Sequence, residues 1–295
     1  MLRFVKLTLD DIEALRPYFS ENECRINDCT IGGTFIWRDY HQTEYAIDDD
    51  GTLFFKVAFP EPALTPPRGI EPNKESYERI IEYCDANNFP PRIFSVSEQV
   101  LHGIIELFPE SIVRTNRDTC DYLYKSSDLA NLAGRKYSGQ RNHINRFIRE
   151  HPKWSFEPLT EELLPDVKAF YQKFAKENIK DAFTYNEGNL KSEEVLDNFA
   201  LYGQYGGVLY VRDVIVGASF GEVVGDTLFV HNEKADVAYH GSYPMLVNQY
   251  AKMYVTDGID YINREEDDGV EGLRTSKLSY HPYALLDKYT IDLKW

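Results

Sequence analysis

Cysteine is scarce in this chain: four residues in 295. Cys24, Cys29, Cys84 and Cys120 form no CxxC pair, and no histidine lies near them at zinc-finger spacing. A cysteine-ligated metal and a disulfide framework are therefore not expected, and four reduced thiols are. Long apolar runs are also missing. The longest, Val214 to Phe220, is strand-sized and far short of the roughly 18 to 20 residues a membrane helix needs. The amino terminus, Met1-Leu2-Arg3-Phe4-Val5-Lys6, has no signal-peptide core. Together these absences predict a cytoplasmic protein without integral membrane contact. Low-complexity tracts and short repeats are absent as well, which excludes solenoids. Positive charge is in short supply: 32 Lys+Arg stand against 48 Asp+Glu, a net charge of −16. Such a surface repels bulk nucleic acid and anionic lipid.

What is present fits an ordinary folded protein, with 43% hydrophobic and 27% charged residues. The length suits two domains of roughly 150 residues each. The aromatic share of 14% includes 21 Tyr, so cores or clefts are rich in rings with a polar tip. The scarce basic charge is concentrated. Residues 135 to 149 hold Arg135, Lys136, Arg141, Arg146 and Arg149 and no acid. The expected organisation is an N-terminal domain over 1–133, a basic connecting helix over 134–152 and a C-terminal domain over 153–295.

Each half reads as strand, helices, strand hairpin, helix, strand and a closing extended region. In the first half, Arg3 to Leu7 is a strand, and Thr8 with Asp10 and Asp11 opens a helix to Phe19. Glu44 to Ile47 and Leu53 to Ala58 alternate around Asp48-Asp49-Asp50-Gly51, a hairpin turn. A helix from Asn73 to Asn87, a strand from Arg92 to Ser95, a helix from Ser97 to Leu107 and an extended segment from Ile112 to Tyr124 follow. In the second half, Lys153 to Glu157, a helix from Thr160 to Asn178 and a helix from Leu190 to Leu201 precede a meander. Its strands are Val208 to Val211, Val214 to Val223 and Thr227 to His231. From Ser242, Tyr243, Leu246, Val247, Tyr250, Ala251 and Tyr254 recur at helical spacing, one apolar stripe made to lie on a sheet. Ile259 to Asn263 is the next strand, and Tyr283 to Leu293 closes the chain. The order β-α-α-β-β-β-α-β-(short α)-β is that of a GNAT acyltransferase fold. The expected class is therefore α/β, with two mixed sheets flanked by helices.

Four stretches carry candidate chemistry. The turn from Asp236 to Tyr243 opens the striped helix. His240, Gly241, Ser242 and Tyr243 offer backbone N–H groups and a partial positive charge to a phosphate, or else are a plain helix cap. Asn263-Arg264-Glu265-Glu266-Asp267-Asp268-Gly269 follows an apolar strand. Its carboxylates repel one another, which raises at least one pKa and yields a general base, a hard-cation ligand set, or simply a solvated loop. Gly272 to Pro282 contains Lys277, able to hold an oxyanion, and Tyr280, able to protonate a leaving group, unless both are surface residues. The basic helix turns Tyr137, Ile144, Phe147 and Ile148 toward the core. Arg135, Asn142, Arg146 and Arg149 line the other face, as a phosphate-docking surface or a salt-bridged linker. Arg141 falls on the apolar stripe, which calls for a buried carboxylate partner.

Several segments resemble a known family: Asp121-Tyr122-Leu123-Tyr124, Asp128-Leu129, Leu132 to Tyr137, Arg141 to Phe147, and Asn263 to Tyr280. It is the bacterial family related to the C-terminal catalytic domain of phosphatidylglycerol lysyltransferase. The resemblance covers most of the chain. It implies a tandem GNAT-like fold akin to the Fem peptidoglycan aminoacyltransferases, which move an aminoacyl group from aminoacyl-tRNA to a lipid or a peptide amine. It also implies that Lys277 lies near the reacting ester, with the Arg264 to Asp268 loop beside it. With nothing here to embed in a membrane, the expected acceptor is a small soluble or peptide amine or hydroxyl. The expected site is then catalytic Lys277, Glu265, Glu266 and Tyr280, with His240, Gly241, Ser242, Tyr243, Arg264, Arg141 and Arg146 at the donor. No metal or tightly bound cofactor is expected. Acyl-CoA as donor, and a non-catalytic ligand-binding module on the same scaffold, remain alternatives.

Overall fold

The computed structural model describes residues 2–19, 24–69, 73–178, 188–256 and 258–294. They fall into two compact units: residues 1–121, 266–269 and 286–295 form the first, and 122–265 with 270–285 the second.

The first unit is built on a seven-stranded sheet ordered β1-β2-β3-β4-β5-β14-β6. The strands are β1 (Val5–Lys6), β2 (Glu44–Ile47), β3 (Leu53–Val57), β4 (Ala63–Leu64), β5 (Arg92–Val96), β6 (Ile112–Thr115) and β14 (Tyr289–Asp292). All pairs are antiparallel except β4 and β5. The β2–β3 hairpin closes as the Asp-Gly run requires. Gly51 takes φ 84°, where a side chain is strained, and Asp48 N–H donates to the Thr52 carbonyl at 3.0 Å. Helices α1 (Ile12–Leu15) and α2 (Ile31–Ile36) precede the hairpin, while α3 (Lys74–Ala86) and α4 (Glu98–Leu107) follow it. Asn73 and Ser76 cap α3 reciprocally, and Tyr77, Ile80, Ile81 and Cys84 turn its apolar face into a core with Phe54, Leu64, Ile93 and Ile291.

The second unit carries a sheet ordered β13-β7-β12-β11-β10-β9-β8. Its strands are β7 (Asp121–Lys125), β8 (Trp154–Pro158), β9 (Tyr205–Val211), β10 (Val214–Val224), β11 (Thr227–Ala235), β12 (Tyr261–Asn263) and β13 (Ala284–Leu286). Its helices are α5 (Ser126–Asn131), α6 (Ser138–Glu150), α7 (Leu164–Asn178), α8 (Leu190–Asp197), α9 (Phe199–Tyr202), α10 (Ser242–Tyr254) and α11 (Glu271–Leu278). The expected stripe of α10 packs on the sheet. Leu246, Val247, Tyr250 and Ala251 are buried with Leu209, Val216, Leu228 and Ile262, while Tyr243 and Tyr254 lie at its margin. This is the α/β architecture expected, in both halves.

Five expectations are corrected. Ile112 to Tyr124 is not one extended segment: a turn at Arg117–Thr119 breaks it, sending β6 to the first sheet and β7 to the second. Tyr283 to Leu293 divides likewise into β13 and β14. Cys24 and Cys29 are not free thiols but a disulfide, because the turn Asn27–Cys29 folds the chain back and sets their Cα atoms 6.2 Å apart. Cys84 and Cys120 remain buried thiols. In α6, Tyr137 just before it, Ile144 and Phe147 are buried, but Ile148 is 39% exposed because its position has turned past the contact face. Arg141 meets no carboxylate among the described residues either; its guanidinium donates to the backbone carbonyls of Leu132 and Gly134. Carbonyls left over where α5 ends satisfy it without a second charge. Among the described residues, no helix is long and apolar enough to cross a membrane.

Candidate active site

The site of the second unit is set by how β11 and β12 part. They pair in parallel through Thr227–Tyr261, Leu228–Ile262 and Phe229–Asn263, and β11 then runs on to Ala235 without β12. Side chains past that point have no ladder neighbour on one side. A bulge adds to this: Phe220 pairs with Asn232 and Gly221 with Val230, which leaves His231 as the extra residue.

His231 sits between two carboxylates. Nδ1 lies 2.8 Å from Glu265 Oε1 and Nε2 lies 2.8 Å from Glu222 Oε1. The imidazole side chain is only 1% exposed. Burial by itself pushes its pKa down, but the hydrogen bonds and charges of Glu222 and Glu265 outweigh that and raise it to about 9. The ring is an imidazolium at neutral pH, donating from both nitrogens. Glu265 is held from its backbone as well. Its φ is 56°, in the left-handed region, and its N–H donates to Asn263 Oδ1 at 2.7 Å.

Arg264 points into the parted strands. Nε and Nη2 donate to Glu233 Oε2 at 2.9 and 2.7 Å, and the guanidinium lies over the rings of Tyr280 and Tyr124 at 4.9 and 5.7 Å. Burial opposes its charge, but Glu233 more than restores it and holds the pKa above the ordinary arginine value. Tyr280 is 3% exposed, and burial pushes its phenol well above the ordinary range. Lys277, on α11, donates from Nζ to the carbonyls of Arg264 at 2.6 Å and Glu265 at 3.2 Å. Tyr124 Oη in turn donates to the Lys277 carbonyl at 2.8 Å. Lys277, Glu265, Arg264 and Tyr280 are thus brought together at one strand end. Glu222, His231 and Glu233 complete the group, and sequence reasoning passed over them. For His231 and Glu233 the signal was a polar run, His231-Asn232-Glu233-Lys234, continuing an apolar strand.

Glu266 belongs elsewhere, in the first unit. Lys288 Nζ lies 2.7 Å from Asp28, 2.9 Å from Asp121 and 2.8 Å from Glu266. Burial, with Glu266 and Asp28 nearby, raises the Asp121 carboxyl to about 8 against the pull of Lys288. Burial also works against the Glu266 charge, but Lys288 and a hydrogen bond from Asp121 prevail and lower it to about 2.

The tip of α10 is occupied from the side by α6. Gly241 takes φ 88°, and a Cβ there would stand 2.4 Å from the His143 carbonyl oxygen. His143 Nδ1 lies 3.2 Å from His240 Nε2, and Ser242 Oγ donates to the Asp236 carbonyl at 2.7 Å. Tyr243 is held by burial as a neutral phenol. One turn earlier on α6, Gln140 Nε2 donates to Ser279 Oγ at 2.8 Å, just past Lys277. Residues three apart on a helix are neighbours, so α6 touches both the α10 tip and the segment after Lys277. Arg146 lies outward on α6 and pairs with Glu150 at 2.7 Å.

The phosphatidylglycerol lysyltransferase C-terminal family model matches residues 25–292. The chain belongs to that family. Its fold is the tandem GNAT-like one. Among solved structures, a conserved protein of unknown function from Bacteroides thetaiotaomicron is 32% identical, with 100% of both chains covered and a TM-score of 0.89. The structure of L-PGS from Bacillus licheniformis shares the fold at 13% identity. The match covers 98% of this chain and 93% of that one, with a TM-score of 0.64. An uncharacterized protein of Mycoplasmoides gallisepticum is 23% identical over 180 residues, 60% of this chain and 58% of the relative's own length.

Proposed function

We propose that this chain is an aminoacyltransferase that moves an aminoacyl group from aminoacyl-tRNA to an amine or hydroxyl of a soluble acceptor. The observation that carries the reading is the Glu265 carboxylate, held by His231 at 2.8 Å on the strand end where Lys277 also converges. Family membership supports the reaction class.

In the reaction, the acceptor nitrogen or oxygen attacks the ester carbonyl, and Glu265 takes its proton. Glu265 fills this role in preference to Glu266, whose carboxylate is committed to Lys288. His231 orients Glu265, and Lys277 supplies positive charge beside the ester. The turn from His240 to Tyr243, with Arg146 outward on the adjoining α6, receives the phosphate end of the donor. Since α6 carries most of the local positive charge on a chain of net charge −16, donor contact is narrow.

Thermal unfolding with each donor class tests this. Aminoacyl-tRNA at 100-fold above its Kd is expected to stabilise the chain by roughly 2.7 kcal/mol, and CoA to leave it unchanged. A shift with CoA alone would reassign the donor to an acyl-CoA. No shift with either, and no transfer to small amines, would leave a ligand-binding module on a transferase scaffold.

A further inference from the structure

Arg264 holds a feature that its ion pair does not use. Both hydrogen bonds to Glu233 come from Nε and Nη2, while Nη1 is buried with no hydrogen-bond partner among the described residues. The residue is 7% exposed. A guanidinium carries five N–H donors in a fixed fork, and leaving two of them dry is costly unless something else accepts them. Arg264 follows directly on β12, which pairs with β11 only as far as Phe229, while β11 runs on to Ala235. Tyr124 and Tyr280 flank the guanidinium, so water there is restricted. Lys277, at the same strand end, is directed onto the carbonyls of Arg264 and Glu265.

We propose that Arg264 Nη1 is the hydrogen-bond donor to the acyl carbonyl oxygen during transfer, taking the oxyanion role in place of Lys277. The assignment rests on the transfer reading above. Glu233 already balances the formal charge of Arg264, so the free edge suits a carbonyl oxygen that gains charge more than a permanent dianion. That is the differential stabilisation a transition state needs. When the acceptor nitrogen bonds to the ester carbon, the carbonyl π pair moves onto oxygen facing Nη1, and the acceptor proton passes to Glu265. On collapse the carbonyl re-forms, and the bond from carbon to the ribose oxygen breaks. That oxygen leaves with its electron pair and takes the proton from Glu265.

The test uses two unreactive analogues of aminoacyl-adenosine with the full chain: an amide with a flat carbonyl, and a phosphonate whose tetrahedral oxygens imitate the oxyanion. Wild type is expected to bind the phosphonate more tightly. Arg264→Lys keeps a cation for Glu233 but lacks the free edge. It is expected to lose roughly 100-fold on the phosphonate, the scale of an oxyanion donor, with little change on the amide. Lys277→Ala is expected to keep the preference for the phosphonate. Should Arg264→Lys not fold, Arg264→Gln with Glu233→Gln buries no unpaired charge and is expected to show the same selective loss. Equal loss on both analogues, no loss, or a preference erased only by Lys277→Ala would overturn the assignment. If wild type binds neither analogue and consumes no aminoacyl-tRNA, the transfer reading itself fails and takes this assignment with it.

Discussion

Glu265 and Glu266 are consecutive, yet their carboxylates enter separate ionic networks: Glu265 Oε1 lies 2.8 Å from His231 Nδ1, and Glu266 Oε2 lies 2.8 Å from Lys288 Nζ. Glu265 itself has left-handed backbone, with φ 56°. Their substitutions should therefore separate. Glu265→Gln is expected to slow single-turnover transfer by about 100- to 10,000-fold with little change in donor affinity, the range for a lost general base. Glu266→Gln is expected to act on stability instead. Parallel rate and unfolding measurements check this, and equal rate losses in both variants would remove the role given to Glu265.

His231 makes stability depend on pH. Its folded pKa of about 9 lies above the unfolded value, so its contribution is whole below about pH 6.5 and is lost as the pH climbs through about 9. The size is on the order of 3 kcal/mol. Urea unfolding at pH 6.5, 7.5 and 9 should show the decline, and His231→Gln should flatten it. A wild-type profile with no fall over that window would contradict the doubly donating imidazolium.

Lys288 pairs with Asp28, Asp121 and Glu266. Lys288→Met strands buried carboxylates and is expected to cost about 3–5 kcal/mol at pH 7. The loss should shrink in acid, where the carboxyls take up protons and need no partner. A deficit that stays constant from pH 7 to pH 4 would place the cause in packing.

Gly241 tests the seam between α6 and α10. Alanine there meets both the left-handed φ of 88° and the His143 carbonyl, so Gly241→Ala is expected to destabilise by about 1–3 kcal/mol. It should also separate the His143–His240 contact, visible as altered imidazole resonances in NMR spectra.

Local elements were legible because their causes are local. The stripe from Leu246 to Ala251, the Asp-Gly turn at Gly51 and the helix beginning near Asn73 each depend on residues a few positions apart, and each formed where the pattern placed it. The placement of Lys277 beside the loop of Arg264 and Glu265 was implied by the family resemblance, not by a local pattern. Segments that depend on distant partners were not legible. Ile112 to Tyr124 carries no mark of a strand that breaks between two sheets, since hydrogen-bond partners come from whatever backbone lies alongside.

By itself, then, the sequence determined the order of helices and strands, the GNAT-like class and the stretch that holds the candidate chemistry. Only the tertiary structure decided the partners: His231 for Glu265, Lys288 for Glu266, Glu233 for Arg264, and carbonyls for Arg141. The reason is physical. Hydrophobic periodicity and capping act over a turn or two of chain. The charge state of a buried group is set by desolvation and by neighbours that folding brings from tens of residues away.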